Sequence, residues 1–395
     1  MAQYIISIHG ERTAPVITPL MQALAPLGFP LLDLRHLRVA GNLSLMAVVE
    51  CPPEQLKALR SRLDTLAQSL GLPWHLNEVP GFQVTSHRYI LTMLGENLGP
   101  DVLAPISQYL NERGLRVNGV APLEAPGLQV YEFRLGAEAL IERERFMIEL
   151  LDLRLASRID FALQRDDVFR RNKRLIVFDA DMTFIQCEVI DELGKRAGVE
   201  QEIAAITHRA MEGELDFQQA LRARVELLEG LPVEQLQQLA TQLPYTPGVE
   251  RLLSILKTLG YQIALISGGF DLIIHHIVQQ FQLDYGFANT LEVQEGCLTG
   301  KVLGDVVDGA RKAALITEIC AQEGWRPEQV IAVGDGANDL QMLTQAGLGI
   351  AFNAKRFLRE RVSSSLTRPN LDAVLYFLGF SQHELDVLGS DARLR

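Results

Sequence analysis

Two aspartates separated by one residue, Asp179 and Asp181, follow directly after an apolar run at residues 175–178. The run has the length and composition of a strand that is buried on both faces. Ligands of an open parallel sheet bind at the carboxyl ends of its strands, so both carboxylates are expected in one site. Two anions this close repel unless a cation or a proton offsets them, and hard carboxylate oxygens suit Mg²⁺. The pair therefore predicts a magnesium site, with a solvated loop as the alternative for so short a motif.

A hydroxyl group and two glycines end a second apolar run, at residues 263–266. Ser267 and Gly268 stand at this end, and a helical pattern follows at residues 271–281. A hydroxyl group and flexible backbone amides between a strand and a helix can hold a phosphate group. The same three residues are also a common turn, so a phosphate site is one of two open explanations.

Polar side chains also follow a third apolar run, at residues 330–333: Asp335, Asn338 and Asp339. Between the second and third runs, Lys312 opens a predicted helix at residues 313–322. A lysine there opposes the helix dipole, which makes sense if its ammonium group binds a phosphate. A solvated surface lysine is the alternative. Three buried strands that all end in carboxylates or phosphate-binding groups jointly favour one shared site.

Helical patterns fill the chain between the first and second of these strands. After Thr183, four amphipathic segments follow one another: residues 188–193, 201–211, 217–228 and 233–243. Four helices between two strands of one sheet are an insertion and not a simple crossover. We expect this helical cap, about residues 186–246, to close over the site and exclude water.

The amino-terminal part of the chain contains a weak internal repeat. Residues 4–11 recur as residues 89–96, and each copy continues with the patterns of a helix, two strands, a helix and a strand. The last strands are expected near residues 74–78 and 156–163. This βαββαβ order predicts antiparallel sheets with helices on one face.

Three domains are therefore expected. Two α+β domains would occupy residues 1–82 and 83–168, and an α/β domain with a Rossmann-like parallel sheet and the helical cap would occupy residues 169–395. The polar and basic segment 169–174 is interpreted as a solvated linker into the last domain.

Composition and charge exclude several classes of protein. The net charge of the 395 residues is -12, which argues against nucleic-acid binding because that requires a basic stripe. No apolar segment is long enough to span a bilayer, and the first residues lack a signal-type pattern. The four cysteines have no C-x-x-C spacing and indicate reduced thiols. We expect a cytoplasmic protein with no nucleic-acid or membrane partner.

These motifs resemble those of the haloacid dehalogenase superfamily of phosphohydrolases: Asp179-x-Asp181-x-Thr183, Ser267, Lys312 and residues 334–339. Further segments, in the cap and after the second strand, resemble the phosphoserine phosphatase family within it: residues 186–192, 211–217, 224–230 and 267–270. Two positions depart from the family pattern. Ala180 replaces a larger residue and Met182 replaces Ser or Gly, and we expect these changes to affect the rate rather than the reaction type.

The resemblance implies a Mg²⁺-dependent phosphatase that hydrolyses O-phosphoserine through an aspartyl-phosphate, the last step of serine biosynthesis. Asp179 would be the nucleophile, and Asp181 would be the general acid and then the general base. The metal would be bound by Asp179, by the main-chain carbonyl of Asp181 and by Asp335. The phosphoryl oxygens would be bound by Lys312, Ser267 and Gly268.

The same resemblance assigns the remaining site residues. Glu188 would bind the substrate ammonium group and Arg224 its carboxylate, a bidentate task that suits guanidinium. Asn338 would orient the substrate. A supporting role falls to three further residues: Thr183, Asp339 and Phe217.

The repeats resemble a tandem pair of ACT domains, by their layout and by the turns at Gly10 and Gly95. Such modules bind amino acids and pair between subunits, which implies a possible serine or other amino-acid ligand and a homodimer. Two alternative functions stay open at this point. One is a phosphatase or phosphotransferase for another small phosphomonoester, and the other is an amino-acid-sensing regulatory protein with an inert phosphatase domain.

Overall fold

The computed structural model of the chain describes residues 2–11, 15–79, 86–153 and 159–391. These residues belong to two compact units, Met1–Val84 and Thr85–Arg395. The boundary predicted between residues 82 and 83 lies outside the described residues, as does the start of the strand predicted at residues 156–163. Among the described helices, none combines the length and the apolar character needed to cross a bilayer.

The first unit is a four-stranded antiparallel sheet covered by two helices. Its elements are β1 (Ala2–Glu11), α1 (Ile17–Leu24), β2 (Leu31–Val39), β3 (Asn42–Cys51), α2 (Leu56–Leu70) and β4 (Trp74–Val79). The strand order is β2-β3-β1-β4. Alternate strand residues such as Ile6 and Leu45 are buried against Leu59 and Leu63 of α2, as the period of two along a strand requires. The predicted βαββαβ order is confirmed for this copy.

The second unit begins with the second copy of the repeat. Its elements are β5 (His87–Gly95), α3 (Pro100–Glu112), β6 (Arg116–Leu123), β7 (Gln129–Ala137), α4 (Arg143–Asp152) and β8 (Ile159–Arg165). The strand order β8-β5-β7-β6 repeats the order β4-β1-β3-β2 of the first unit. The structure thus confirms that the weak sequence repeat reflects two copies of one fold.

An α/β region makes up the rest of the second unit. Its strands are β9 (Leu175–Phe178), β10 (Gln262–Phe270), β11 (Tyr285–Gln294), β12 (Cys297–Leu303), β13 (Val330–Gly334), β14 (Leu348–Phe352) and β15 (Ser364–Leu366). The first helices are α5 (Val168–Arg171), α6 (Val189–Ala197), α7 (Glu200–Met211), α8 (Phe217–Glu226), α9 (Val233–Ala240) and α10 (Val249–Thr258). The later helices are α11 (Asp271–Phe281), α12 (Gly309–Glu323), α13 (Leu340–Gln345), α14 (Arg356–Arg359), α15 (Val374–Phe377) and α16 (Gln382–Asp391).

Strand β9 lies at the centre of this region, with β10 and β13 parallel on either side. All four of its residues are fully buried. Ile176 and Phe178 pack in one hydrophobic cluster, whereas Leu175 and Val177 pack in another. The apolar run was therefore correctly interpreted as a strand buried on both faces, and the carboxyl ends of β9, β10 and β13 meet at one edge.

The sheet of the second repeat is continuous with the α/β sheet. Strand β15 pairs antiparallel with β8 at Ser364↔Ala162 and Ser365↔Phe161, which gives one sheet of eleven strands. Polar side chains are buried beside this junction, and Asp160 accepts a bond of 2.7 Å from the Thr367 N–H. The domain boundary predicted at residues 168 and 169 stays a prediction, because the two predicted domains share this sheet.

The interpretation of residues 169–174 as a solvated linker is wrong for two of its cations. Arg170 and Lys173 are each only 6% exposed. Arg170 forms a buried ion pair with Glu132, and the Lys173 ammonium donates to the Glu328 carbonyl at 2.6 Å. A buried charge requires such partners, and the sequence does not show them because they lie far away along the chain.

Helices α6 to α9 form the predicted insertion between β9 and β10, and α10 follows them before β10. The hairpin of β11 and β12 was not predicted. It contacts the insertion through main-chain bonds: Gly230 N–H donates to Leu298 O at 2.8 Å, and Val233 N–H donates to Gly296 O at 3.0 Å. The insertion is thereby attached to the sheet edge beside the site.

Candidate active site

A tight turn directly after β9 presents the two aspartates. The Asp179 N–H still continues the sheet, donating to Val333 O at 2.9 Å. Two residues later the backbone becomes irregular, and Met182 has a φ of 57°. This left-handed conformation costs a residue with a side chain about 1–2 kcal/mol. The Met182 side chain is 44% exposed and does not line the cavity described below, so it does not crowd the site.

Three carboxylates lie together at this edge of the sheet. Oxygens of Asp179, Asp335 and Asp339 all lie within 4.8 Å of one another. The Lys312 ammonium is fully buried between two of them, 2.6 Å from Asp179 Oδ1 and 2.7 Å from Asp339 Oδ1. Thr183 Oγ1 donates to Asp335 Oδ1 at 3.2 Å. One cation thus faces three carboxylates, which leaves net negative charge in a buried place.

The pKa values of these groups reflect the excess of carboxylates over cations. Burial, followed by the charge of Asp339, raises the pKa of Asp335 to about 7. Burial and the neighbouring carboxylates also raise the pKa of Asp179 well above its usual range, although Lys312 opposes the shift. Burial alone would lower the pKa of Lys312, but Asp179 and Asp339 overcome it and raise that pKa. Lys312 therefore remains an ammonium ion at neutral pH.

Asp181 makes contacts of a different kind. Its Oδ1 accepts the Val189 N–H at 2.8 Å, and its Oδ2 accepts the Ser267 hydroxyl at 3.4 Å. Burial raises the pKa of Asp181, against the bonds from Val189 and Ser267. A buried carboxyl group with a raised pKa, next to a carboxylate held by a lysine, is suited to donate and accept protons.

The second strand end supplies a hydroxyl group and main-chain amides. Gly269 N–H donates to Ser267 Oγ at 2.8 Å. Gly268 lies against the cap residue Phe217, since a Cβ added at Gly268 would be 2.8 Å from Phe217 Cζ. A side chain at position 268 would therefore displace the ring, which explains why the turn needs a glycine here.

A cavity of about 100 Å³ lies between this edge of the sheet and the cap. Its lining includes eight of the predicted site residues: Asp179, Asp181, Glu188, Phe217, Arg224, Gly268, Asp335 and Asn338. Four more lie behind the lining and bond to it or to one another: Thr183, Ser267, Lys312 and Asp339. The structure thus brings all the predicted site residues to one place.

Glu188 and Arg224 give the cap side of the cavity opposite charges. Burial, then the charge of Asp181, raises the pKa of Glu188 to about 7. Burial lowers the pKa of Arg224, although the nearby acids oppose the shift. The Arg224 side chain bonds to Ala220 O at 3.3 Å and to Thr207 Oγ1 at 3.4 Å. Both residues line the same cavity as Asp179 and Asp335.

Two buried polar residues of the site were missed by sequence reasoning. Thr246 Oγ1 donates to Thr183 O at 2.7 Å and so holds the turn after β9. Asn289 bonds to both Gly268 and Val307. Neither residue stands in a motif, and a single Thr or Asn gives no signal until the fold shows what it contacts.

Comparisons with known proteins agree with this geometry. Residues 176–344 match the haloacid dehalogenase-like hydrolase family, and residues 2–77 match the ACT domain. The chain is 36% identical over 389 residues to a phosphoserine phosphatase of Streptomyces coelicolor, with 97% of this chain and 93% of the relative covered. It is 35% identical over 391 residues to phosphoserine phosphatase SerB2 of Mycobacterium tuberculosis, with coverages of 97% and 94%.

A solved structure of a phospho-aspartyl intermediate analogue of phosphoserine phosphatase is also similar. It is 43% identical, has a TM-score of 0.50, and matches 52% of this chain and 99% of that one. The similarity therefore extends over the whole of that smaller protein.

Proposed function

The chain belongs to the phosphoserine phosphatase family of the haloacid dehalogenase-like hydrolases, and from this premise we propose how it hydrolyses O-phosphoserine to serine and phosphate. The observation that carries the proposal is the pairing of Asp179 with the buried ammonium group of Lys312, 2.6 Å away, at the floor of a cavity. Measuring phosphate release from a panel of phosphomonoesters tests it, with O-phosphoserine expected to be the preferred substrate.

The carboxylate cluster fits a divalent metal. Three carboxylates within 4.8 Å of one another share one lysine, and the pKa of Asp335 is raised to about 7 by burial and by Asp339. Hard oxygen ligands with excess negative charge suit Mg²⁺. We propose that Asp179, Asp335 and the main-chain carbonyl of Asp181 bind it. When bound, the metal neutralises charge on the transferring phosphoryl group.

Asp179 and Asp181 divide the chemical work. A carboxylate oxygen of Asp179 attacks phosphorus, the bond to the seryl oxygen breaks, and an aspartyl-phosphate forms. Asp181 gives its proton to the seryl oxygen, which is a poor leaving group as an alkoxide. It then takes a proton from the water that hydrolyses the aspartyl-phosphate. The raised pKa of Asp181, caused by burial, supports the first of these roles.

The phosphoryl oxygens lie among fixed donors. We assign this role to Lys312, Ser267 and the Gly268 N–H, which all lie at the same edge. Donors that are already oriented stabilise charge that develops during the transfer. Asn338 lines the cavity and would orient the substrate. Asp339 supports this arrangement by holding Lys312 and accepting the Gly336 N–H at 3.0 Å.

The serine part of the substrate is assigned to the cap. Glu188 would bind the ammonium group and Arg224 the carboxylate, and Phe217 would screen the cavity from solvent. Another small phosphomonoester as substrate would require a differently shaped pocket, and Met182, which departs from the family pattern, does not line the cavity. The order of charges, carboxylate cluster below and an acid–guanidinium pair above, favours an amino-acid phosphate.

The amino-terminal repeats are assigned a regulatory role. We propose that they bind serine or another amino acid and that the chain forms homodimers. The match of residues 2–77 to the ACT domain supports the ligand. Among the described residues, strand β2 lies at an edge of its sheet, and its Leu37 and Val39 are each 60% exposed, which supports the pairing of subunits. Because the product would be serine, we propose that the reaction is the last step of serine biosynthesis.

Removing the metal is expected to abolish activity. After dialysis against EDTA, phosphate release should cease, and added Mg²⁺ should restore it. A second measurement does not depend on activity: Mg²⁺ should raise the melting temperature, because it binds the folded cluster only. Asp335→Asn should reduce this shift, whereas Asp305→Asn, on an exposed loop, should leave it unchanged. Full activity after chelation would contradict the metal proposal.

Variants of two cap residues should weaken the binding of different groups of the substrate. Arg224→Ala should lower kcat/KM for phosphoserine by a factor equivalent to about 2–5 kcal/mol. It should barely affect phosphoethanolamine, which lacks the carboxylate. Glu188→Gln should lower kcat/KM for both of these compounds but not for 3-phosphoglycerate, which lacks the ammonium group. Steady-state kinetics on the three compounds check this.

The matched control for this pair is Arg222→Ala. Arg222 lies on the same helix α8, contacts Val302 O at 3.5 Å, and does not line the cavity. Its removal should change none of the three values of kcat/KM. Equal losses on all three compounds in the Arg224 and Glu188 variants would show that the cap does not select substrates by charge.

A further inference from the structure

The sheet has a gap in its ladder where the Ser267 turn begins. Strands β10 and β11 pair in parallel at Ile266↔Phe287. Their next pair is Phe270↔Asn289, so β10 has more residues than β11 between the two pairs. Residues 267–269 therefore leave the ladder. A carbonyl group that leaves the ladder in a partly buried place destabilises the fold unless it finds another donor, so a partner outside the ladder is needed.

Asn289 supplies that partner. It is only 1% exposed, and its Nδ2 donates to Gly268 O at 2.7 Å. Its Oδ1 accepts the Val307 N–H at 2.8 Å. A carbonyl group only accepts and an N–H only donates, so these two neighbours fix which way the amide group points.

The bonds continue from this amide group to the site. Gly269 N–H, on the far side of the same peptide group, donates to Ser267 Oγ at 2.8 Å. Because the hydroxyl group accepts there, its own hydrogen is free to donate to Asp181 Oδ2, 3.4 Å away. All donors thus point the same way from Val307 to Asp181, and bonds in such a chain strengthen one another.

The chain of hydrogen bonds begins beside the start of helix α12. Val307 precedes Asp308, whose side chain accepts the Arg311 N–H at 3.0 Å and caps helix α12. Helix α12 carries Lys312. Asn289 therefore connects the start of the lysine helix to the turn that holds Ser267.

We propose that Asn289 is a positioning residue for phosphoryl transfer: it fixes the peptide group between Gly268 and Gly269, which aims the Ser267 hydroxyl and so orients Asp181 toward the leaving oxygen. The inference rests on the proposed function, in which the bond from phosphorus to the seryl oxygen breaks. The bond from phosphorus to Asp179 forms as Asp181 protonates the seryl oxygen. Asn289 touches none of the reacting atoms.

Asn289→Asp tests this role. The variant keeps the size of the side chain and the acceptor for Val307, but an ionised carboxylate cannot donate to Gly268 O. We expect kcat/KM for phosphoserine to fall about 30- to 100-fold, the scale of a misplaced proton donor. For acetyl phosphate, whose acetate leaving group needs no proton, the fall should be less than about fivefold. Because kcat/KM depends only on the steps up to the first irreversible one, the comparison reports on the transfer of the phosphoryl group to Asp179.

Gln164→Glu is the matched control. Gln164 is 3% exposed and donates to Phe377 O at 2.6 Å, so the same amide is lost at a buried place away from the cavity. In this control variant, the ratio of kcat/KM for phosphoserine to kcat/KM for acetyl phosphate should stay unchanged. If the aspartate variant does not fold, as judged by circular dichroism, Asn289→Ser removes the same bond without a charge and should show the same selective loss.

Two results overturn the inference. One is wild-type kcat/KM for phosphoserine in a folded variant, and the other is an equal loss on both substrates. A wild-type enzyme that releases no phosphate from phosphoserine would instead refute the proposed function, and this is measured before any variant is made.

Discussion

Asp179→Asn is expected to abolish phosphate release from phosphoserine while the protein stays folded. An amide oxygen is a far weaker nucleophile than a carboxylate, and losing a nucleophile typically lowers kcat by about 10⁴-fold or more. The cluster loses one of the carboxylates that crowd Lys312, and the lysine keeps its bond to Asp339. Burial and repulsion raise the pKa of Asp179, so neutralising it removes an unfavourable charge at pH 7.

The measurements are steady-state kinetics, the free energy of unfolding, and mass spectrometry of acid-quenched enzyme. In the wild type, the quenched enzyme should carry phosphate on the peptide that contains Asp179, and the variant should carry none. Asp305→Asn makes the same chemical change on an exposed loop and should keep full activity. Turnover by the Asp179 variant, or phosphate found on another peptide, would remove Asp179 as the nucleophile.

The location of the site was predictable because its parts are local in sequence. Each buried strand ends abruptly in polar residues, and parallel strands bring such ends to one edge. The short segments around Asp179, Ser267 and Asp335 therefore carried the assignment without any knowledge of the packing. The βαββαβ order of the repeats was predictable for the same reason, since alternation and helical periodicity are local patterns.

Most of the features that were missed depend on contacts between distant segments. Asn289 is one residue on a strand, and its importance appears only when Gly268 and Val307 are seen beside it. The burial of Arg170 was not predicted, because its partner Glu132 is far away in the sequence. The pairing of β15 with β8 joins segments about two hundred residues apart, as Ser364↔Ala162 shows. Local propensity carries no signal for any of these.

Lys312 had two open explanations, and its burial excludes the solvated surface lysine. A solvated lysine would be exposed, but this side chain is 0% exposed and bonds to two carboxylates. Its position in the first turn of α12, which is unfavourable for a cation by itself, is compensated by those charges. The lysine thus stabilises the folded cluster, apart from the role proposed for it in the reaction.

Lys312→Met is accordingly expected to weaken the fold and nearly abolish activity. Methionine has a similar length but no charge, so Asp179 and Asp339 would be left buried without their cation. Removing one partner of a buried ion pair costs about 3–5 kcal/mol of the free energy of unfolding. Losing an oriented donor to the phosphoryl oxygens should also lower kcat by about 10²- to 10³-fold.

The loss of stability should depend on pH in a defined direction. In the variant, Asp179 loses the lysine that opposes its raised pKa, so its folded pKa lies further above the unfolded value of about 4. A carboxyl group of that kind penalises the folded state above its unfolded pKa, and the penalty is complete above its folded pKa. In the wild type, the raised pKa of Lys312 means that its contribution persists until the pH rises past about 10. The two proteins should therefore differ little below pH 4 and most at neutral pH.

Denaturant unfolding of both proteins between pH 4 and 8 measures this difference. Adding Asp339→Asn to Lys312→Met should restore part of the stability at pH 7, because it removes one of the two unpaired charges, and the double-mutant cycle gives the coupling. Mg²⁺ should stabilise the methionine variant more than the wild type, since the ion offsets the same carboxylates. If the methionine variant is as stable as the wild type at pH 7, or if its deficit does not shrink toward acid pH, the two carboxylates do not depend on Lys312.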